Sequence, residues 1–275
     1  MSAALIAFVV SVGAGGFGSL VGIGGGLIIV PVLSVGLGHD VKDAIAASLI
    51  GVVATSLSAS PRYLRSGLVD RHLGLLLLVA ATLGGLTGGL TAGYLDERIL
   101  ALLFGLLLAG VAIQMLRQVR RPSPHPPIDD ADLESGFTSS YVEHASGEVV
   151  TYRARRLVPG AAVSFVAGNV SGLLGVGGGV INVPTMNVLM HVPIRVATTT
   201  STYMLAATAT ASAVVYIASG QLDPLLAAPV ALGVIIGARG GARLAMRVSQ
   251  DVLRVAFVVV AAVFAVSMIR QALPL

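Results

Sequence analysis

Cysteine is absent from the 275-residue chain, and charged residues make up only 11% of it. Without a thiol there is no disulfide, no thiolate nucleophile and no thiolate metal site. A water-soluble domain carries about a quarter charged residues, so water is not the main solvent of this chain. Signatures of enzyme chemistry are missing as well. No Gly-Lys-Ser/Thr follows any glycine run, no His-Glu-x-x-His occurs, and His39, His72, His125, His144 and His191 fall in loops or at helix ends. Gly13-Ala-Gly15-Gly-Phe-Gly18 fits the dinucleotide pattern G-x-G-x-x-G, but its repeat partner Val166-Ala-Gly168-Asn-Val-Ser171 loses it. No alternating strand–helix series follows, so close helix packing accounts for it better. The acidic residues Asp40, Asp43, Asp70, Asp96, Glu97, Asp223 and Asp251 lie at helix ends or in loops, which leaves no mid-membrane proton carrier. Neither a cofactor, a metal nor a catalytic residue is expected.

What is present is apolar: 55% hydrophobic residues, 34 glycines and a mean hydropathy of +0.91. Runs such as Leu73–Leu95, Ile99–Leu116, Leu225–Leu244 and Val252–Ile269 are long enough to cross a hydrocarbon core of about 30 Å. The chain reads as an all-α integral membrane protein with the lipid bilayer as its constant partner. A pI near 9.8 is compatible with nucleic acid, yet 16 of the 17 basic residues are Arg and most flank apolar runs, so the charge sets topology and no nucleic-acid partner is expected. The N-terminal stretch Met1–Val12 has no basic n-region or A-x-A site and reads as a retained apolar segment.

The chain repeats itself. Gly22-Ile-Gly-Gly-Gly-Leu-Ile-Ile-Val-Pro31 matches Gly175-Val-Gly-Gly-Gly-Val-Ile-Asn-Val-Pro184 at an offset of 153 residues. The same offset carries Ser48 to Ser201, Thr55 to Thr208, Asp70 to Asp223, Gly84 to Gly237 and Gly88 to Gly241. One register held this long divides the chain into a first membrane repeat (1–118), a polar linker (119–157) containing Pro122-Ser-Pro-His-Pro-Pro127, and a second membrane repeat (158–275). The linker reads as a mobile loop or small extramembrane insert.

Each repeat opens with an apolar stretch, Ala3–Leu37 or Val158–Met190, broken by a triple glycine. One helix of about 35 residues would measure about 52 Å, too long for one span, and two spans need about 40 residues. Two shorter helices fit, either as a re-entrant hairpin or as a single broken crossing. Charge separates the alternatives. With hairpins, three crossings per repeat invert the second half. Arg62, Arg65, Arg71, Arg117, Arg120, Arg121, Arg153, Arg155, Arg156, Arg195, Arg243, Arg247 and Arg254 then share a side against Lys42, Arg98 and Arg270, a split of 13 to 3 that falls to 10 against 6 with single crossings. The expectation is therefore two inverted-topology repeats, each a broken or re-entrant hairpin plus three transmembrane helices. The central loop is then cytoplasmic and both termini lie outside.

The glycine tips carry the chemistry. A triple glycine lets the backbone turn and leaves the first N–H groups of the following helix unpaired at the positive end of its dipole, a setting that favours an anion. Non-helical backbone at membrane depth survives only when covered by protein or lining a wet cavity. Gly24, Gly25, Gly26, Gly177, Gly178 and Gly179 are thus candidate substrate-binding residues, with Pro31 and Pro184 as structural hinges. Neutral donors near the tips, Asn169, Asn182, Asn187, Ser48, Ser201 and Thr200, suit sulfonyl, carboxyl or phosphoryl oxygens, although interhelical bonding is an equal account of each. Around the first tip only Ser19 adds polarity. Arg239, inside Leu225–Leu244, reads either as an anion counter-charge or as part of an Arg239, Arg243, Arg247 stripe that snorkels to the surface.

With its two motifs Gly22-Ile-Gly-Gly-Gly…Pro31 and Gly175-Val-Gly-Gly-Gly…Pro184, and the segment Gly237-Ala-Arg-Gly-Gly-Ala-Arg-Leu244, the chain resembles the TauE/SafE family of sulfite exporters over both halves. The resemblance implies a bacterial cytoplasmic-membrane permease for sulfite or small organosulfonates. The central insert is longer than such a family's linker. A negative cell interior drives one negative charge outward by about 2.3 kcal/mol per 100 mV, which favours export without a coupled ion. The expected mechanism is alternating access by rocking of the halves around a small anion at the tips. An anion channel, or a membrane anchor whose linker recruits other proteins, are the rival readings, and the small-residue helix faces leave a homodimer open.

Overall fold

The computed structural model describes residues 3–120, 137–142, 149–244 and 250–273. The expected Pro122–Glu134 linker segment and Arg247 lie outside the described residues. The first repeat forms α1 (Ala3–Val21), α2 (Gly26–Pro31), α3 (Val41–Arg65), α4 (Arg71–Ala92) and α5 (Glu97–Arg120). The second forms α6 (Leu157–Leu174), α7 (Gly179–Pro184), α8 (Ile194–Ala218), α9 (Pro224–Leu244) and α10 (Gln250–Ala272). Seven of these, α1, α3, α4, α5, α6, α8 and α9, are long and apolar enough to cross a membrane. The protein is an all-α, multi-pass membrane protein.

Both opening stretches are lopsided hairpins. The first arm is not a short helix as expected: α1 has 19 residues and α6 has 18. Only the return arm is short. The reason is that Gly13, Gly15, Gly16 and Gly18 do not break α1; Gly15 and Gly16 sit where the α9 backbone crosses, and Gly18 where the tip folds back. At the tip the chain doubles back, so that a Cβ on Gly25 would stand 2.7 Å from the Ala14 carbonyl and one on Gly178 3.2 Å from that of Ala167. In the return arm, Pro31 and Pro184 lack an N–H, and the helix widens behind each into a π turn. Leu37 N–H then donates to the Val32 carbonyl and Met190 N–H to that of Thr185, both at 3.0 Å and both five residues back.

The halves are interlocked. A Cβ on Gly84 or Gly88 of α4 would fall on the carbonyls of Phe165 and Asn169 in α6. The repeat partners Gly237 and Gly241 of α9 meet Val12 and Gly16 of α1 in the same way. Backbones this close are possible because glycine leaves one helix without a side chain at the point of contact. Each hairpin's long arm therefore belongs, by packing, to the other half. α5 and α10 also pack together. Gly84, Gly88, Gly237 and Gly241, which belong to the small-residue faces that left a homodimer open, pack against this chain's own helices. Centrally, α3 and α8 run antiparallel. The Ser56 hydroxyl donates to the Thr202 carbonyl and the Thr199 hydroxyl to that of Leu68, just past the end of α3, both at 2.6 Å, so rising numbers along α3 and its exit meet falling numbers on α8.

The linker is not loop throughout. Thr138–Val142 (β1) and Val149–Arg153 (β2) pair antiparallel, Thr138 opposite Arg153 and Val142 opposite Val149. Tyr152 and Ala154 are buried in a cluster with Leu73, Leu77, Met190 and Val192, which fastens the hairpin to the ends of α4 and α8.

Candidate functional site

The two tips meet at the centre of the molecule. Gly22, Gly24, Gly25, Gly175, Gly177 and Gly178 all have φ between 67° and 86°, the left-handed region open to glycine. A Cβ on Gly24 would stand 2.9 Å from Val52 and 3.0 Å from Leu205, and one on Gly177 2.8 Å and 3.3 Å from the same pair. Val52 and Leu205 are themselves repeat partners, so the point between them is where the two halves exchange. Gly26 is pressed against the Gly175 carbonyl, and Gly179 against that of Gly22. The tips are therefore in closed contact, and every residue from Gly22 to Gly26 is buried.

Two serines fasten this contact reciprocally. Ser48 Oγ on α3 donates to the Gly175 carbonyl at 2.8 Å, and Ser201 Oγ on α8 donates to the Gly22 carbonyl at 3.1 Å. Their hydroxyl protons are thus committed to the opposite half's tip. Thr55 Oγ1 lies 3.0 Å from the Gly24 carbonyl and equally far from that of Gly51. Below each tip a tyrosine repeats the arrangement. Tyr63 donates to the Ser19 carbonyl at 2.7 Å, and Tyr216 to that of Gly172 at 3.2 Å. The tyrosine pair was missed in the sequence, although the 153-residue offset joins Tyr63 to Tyr216 as cleanly as it joins the serines.

The halves differ in what is left unpaired. Among the described residues, Asn182 on α7 is 2% exposed and its Oδ1 finds no partner, and Ser171, near the end of α6, is fully buried with no partner for its Oγ. Ser171 also touches the second tip, with its Cβ 3.5 Å from where a Gly178 Cβ would be. The first half has Ile29 and Gly18 at the matching positions. Buried polar atoms without partners are rare in native proteins, and these two stand beside the second tip.

Other expected site residues lie elsewhere. Asn169 faces α4, where its Nδ2 donates to Thr87 Oγ1 at 3.1 Å. Asn187 donates to the Val192 carbonyl at 2.9 Å and ties down the loop after the π turn. Thr200 accepts from the Asp70 N–H at 3.0 Å, holding the α3–α4 connection. Arg239 is exposed and lines a cavity with Arg62, Arg65 and Arg243, apart from the tips. The physical reason is common to all four: position within an apolar run does not reveal which helix face points to the tip.

At the linker side, Tyr152 donates to Asp70 Oδ2 at 2.9 Å while Asp70 Oδ1 caps α4 by accepting from Leu73 N–H at 3.0 Å. Burial, and secondly the nearby Asp70 carboxylate, push the Tyr152 hydroxyl well above the ordinary tyrosine range.

Comparison with known proteins agrees with this architecture. Residues 7–268 match the family described as Sulfite exporter TauE/SafE. The chain is 30% identical over 236 residues to the probable membrane transporter protein YunE of Bacillus subtilis, covering 83% of this chain and 84% of that protein. It is 23% identical over 266 residues to a probable membrane transporter protein of Methanocaldococcus jannaschii, covering 91% and 88%. No solved structure matches the chain.

Proposed function

The chain belongs to the TauE/SafE family and is a membrane transporter, and from that premise we propose that it exports small sulfur-containing anions such as sulfite or organosulfonates across the bacterial cytoplasmic membrane. Transport, not catalysis, is the activity. The observation that carries the proposal is the closed contact of two glycine tips beside the unpaired Asn182 and Ser171. The Gly179, Ile181 and Asn182 N–H groups are held within the second tip by the Gly177 and Gly178 carbonyls, so parting the tips opens space at the positive end of α7 next to two neutral polar side chains, an environment that suits an oxyanion without a fixed cation to trap it. The gate is the Ser48 and Ser201 clasp. A closed clasp at this depth also weighs against a continuously open polar channel.

The antiparallel α3 and α8 support inverted repeats, 1–118 and 158–275, about the linker 119–157. Arg62, Arg65, Arg71, Arg195 and Arg243 gather at the linker's end, with Lys42 and Arg98 at the other, which supports a cytoplasmic linker and outer termini. Rocking of the two sequence halves does not fit the packing, because each long arm is embedded in the other half. The moving bodies are the helices around the tips.

The test is flux of radiolabelled sulfite and sulfoacetate from proteoliposomes under an imposed potential. Saturable, potential-driven flux in the wild type, weakened about tenfold by Asn182→Ala or Ser171→Ala with the thermal midpoint preserved, supports the assignment. Equal flux in both variants removes the tip from the substrate path, and no flux of either anion by folded wild type removes the substrate class.

A further inference from the structure

A second anion-seeking feature lies apart from the tips. The last turns of α3 and α9 border an open cavity of about 500 Å³ lined by the exposed Arg62 and Arg65 from one helix and the exposed Arg239 and Arg243 from the other, with Ser58 and Ser66 on its wall. Among the described residues no carboxylate lines it. Among the described residues none of the four guanidinium groups makes a hydrogen bond or ion pair. Four like charges bordering one cavity make its potential positive and attract an anion into it.

The repeat supplies an internal control. At the 153-residue offset the frame of this corner is kept: Tyr63 becomes Tyr216, Ser66 becomes Ser219, and Gly237 and Gly241 correspond to Gly84 and Gly88. The arginines are not kept. Arg62 and Arg65 correspond to Val215 and Ala218, and Arg239 and Arg243 to Leu86 and Leu90. The same helix crossing forms without the charges, so the fold does not require them. A topology signal requires basic residues on one side of the membrane, but it does not require two helices to line one cavity with them. Guanidinium groups matched to a tetrahedral oxyanion, two N–H groups at a time, do explain that convergence.

We propose that this cavity is an oxyanion-binding site separate from the glycine tips, built for a phosphate- or sulfonate-type group. The group arrives either on an anionic lipid headgroup or as a free ion. Occupancy is within mechanical reach of the tip, because Tyr63 on the cavity wall holds the Ser19 carbonyl, three residues before Gly22.

The experiment uses the full-length protein purified in neutral detergent, with sulfate as the probe. The thermal midpoint is followed against sulfate at constant ionic strength, in wild type, in Arg62→Gln and Arg239→Gln, and in Arg98→Gln as a control on the opposite side. The expected result is a saturable rise in midpoint for wild type and Arg98→Gln, with half-saturation shifted about tenfold for each cavity arginine removed. Anion-free midpoints report whether each variant is folded. In a second arm, native mass spectrometry after exposure to phosphatidylglycerol or phosphatidylcholine identifies the source. Retention of phosphatidylglycerol by wild type, lost in the cavity variants, assigns a lipid headgroup, whereas a sulfate response without lipid retention assigns a free ion. Sulfate responses that do not differ between wild type and the cavity variants, with no selective lipid retention, overturn the proposal.

Discussion

The Tyr152 hydroxyl reaches across 82 positions of sequence to donate a 2.9 Å hydrogen bond to the buried Asp70 carboxylate. Through it the linker hairpin is tied to the residue that caps α4 and whose N–H is bound to Thr200 on α8. One side chain thus joins the linker, the first repeat and the second. Replacing Tyr152 with Phe removes a charge-assisted bond and is expected to cost about 1.5–3 kcal/mol locally. Faster hydrogen exchange in 138–142 and 149–153, with the core of α3 and α8 unchanged, is the signature to measure.

The same contact predicts a pH response. The folded-state proton of Tyr152 is held more tightly than in an unfolded chain, where a tyrosine titrates near about 10. Its contribution is therefore complete below about pH 10 and is lost as pH rises further. Hairpin protection in the wild type is expected to be level from neutral pH to about pH 9.5 and to fall above it, while Tyr152→Phe lacks that step.

Gly26 and Gly179 are not in left-handed backbone, so alanine there tests space alone. A methyl group on Gly26 meets the Gly175 carbonyl, and one on Gly179 meets that of Gly22. Gly110 has nothing within 4 Å of its would-be Cβ. Gly26→Ala and Gly179→Ala are expected to lower the thermal midpoint by several degrees and to abolish saturable flux, while Gly110→Ala leaves both intact. Equal behaviour of the three in a flux assay would contradict tight tip closure.

Ser48→Ala and Ser201→Ala each remove one bond of the clasp and are expected to cost about 1 kcal/mol. If the two bonds close one gate, the double variant departs from additivity by about 0.5 kcal/mol or more in denaturant titration. Strict additivity would mean that the two tips are held independently.

Much of the fold was legible because bilayer length and glycine repetition are written directly in the chain. The offset between Gly22 and Gly175 led to a contact that proves reciprocal in space, and the offset that joins Gly84 and Gly88 to Gly237 and Gly241 leads to two matching helix contacts. Other features depend on geometry that spacing does not encode. α1 carries four glycines, and α9 packs on two of them, Gly15 and Gly16, a relation between residues over two hundred positions apart. Asn169, Asn187 and Thr200 carry the polarity expected of a site but spend it on loops and neighbouring helices. The hairpin at 138–153 did leave a signal, since Val150 and Tyr152 alternate with more exposed neighbours, yet the surrounding prolines and acidic residues masked it as plain linker.

The exchange of long arms between the halves has a consequence for how the protein is made. When α1 through α5 have been synthesised, the glycine stripe of α1 has no α9 to receive and the stripe of α4 has no α6. The first repeat must wait in the lipid with its backbone-exposing grooves unfilled, and its assembly completes only when the second repeat is threaded into place. Maturation is then a late, concerted event, and a chain that stops after the linker leaves an unfinished half exposed to membrane quality control.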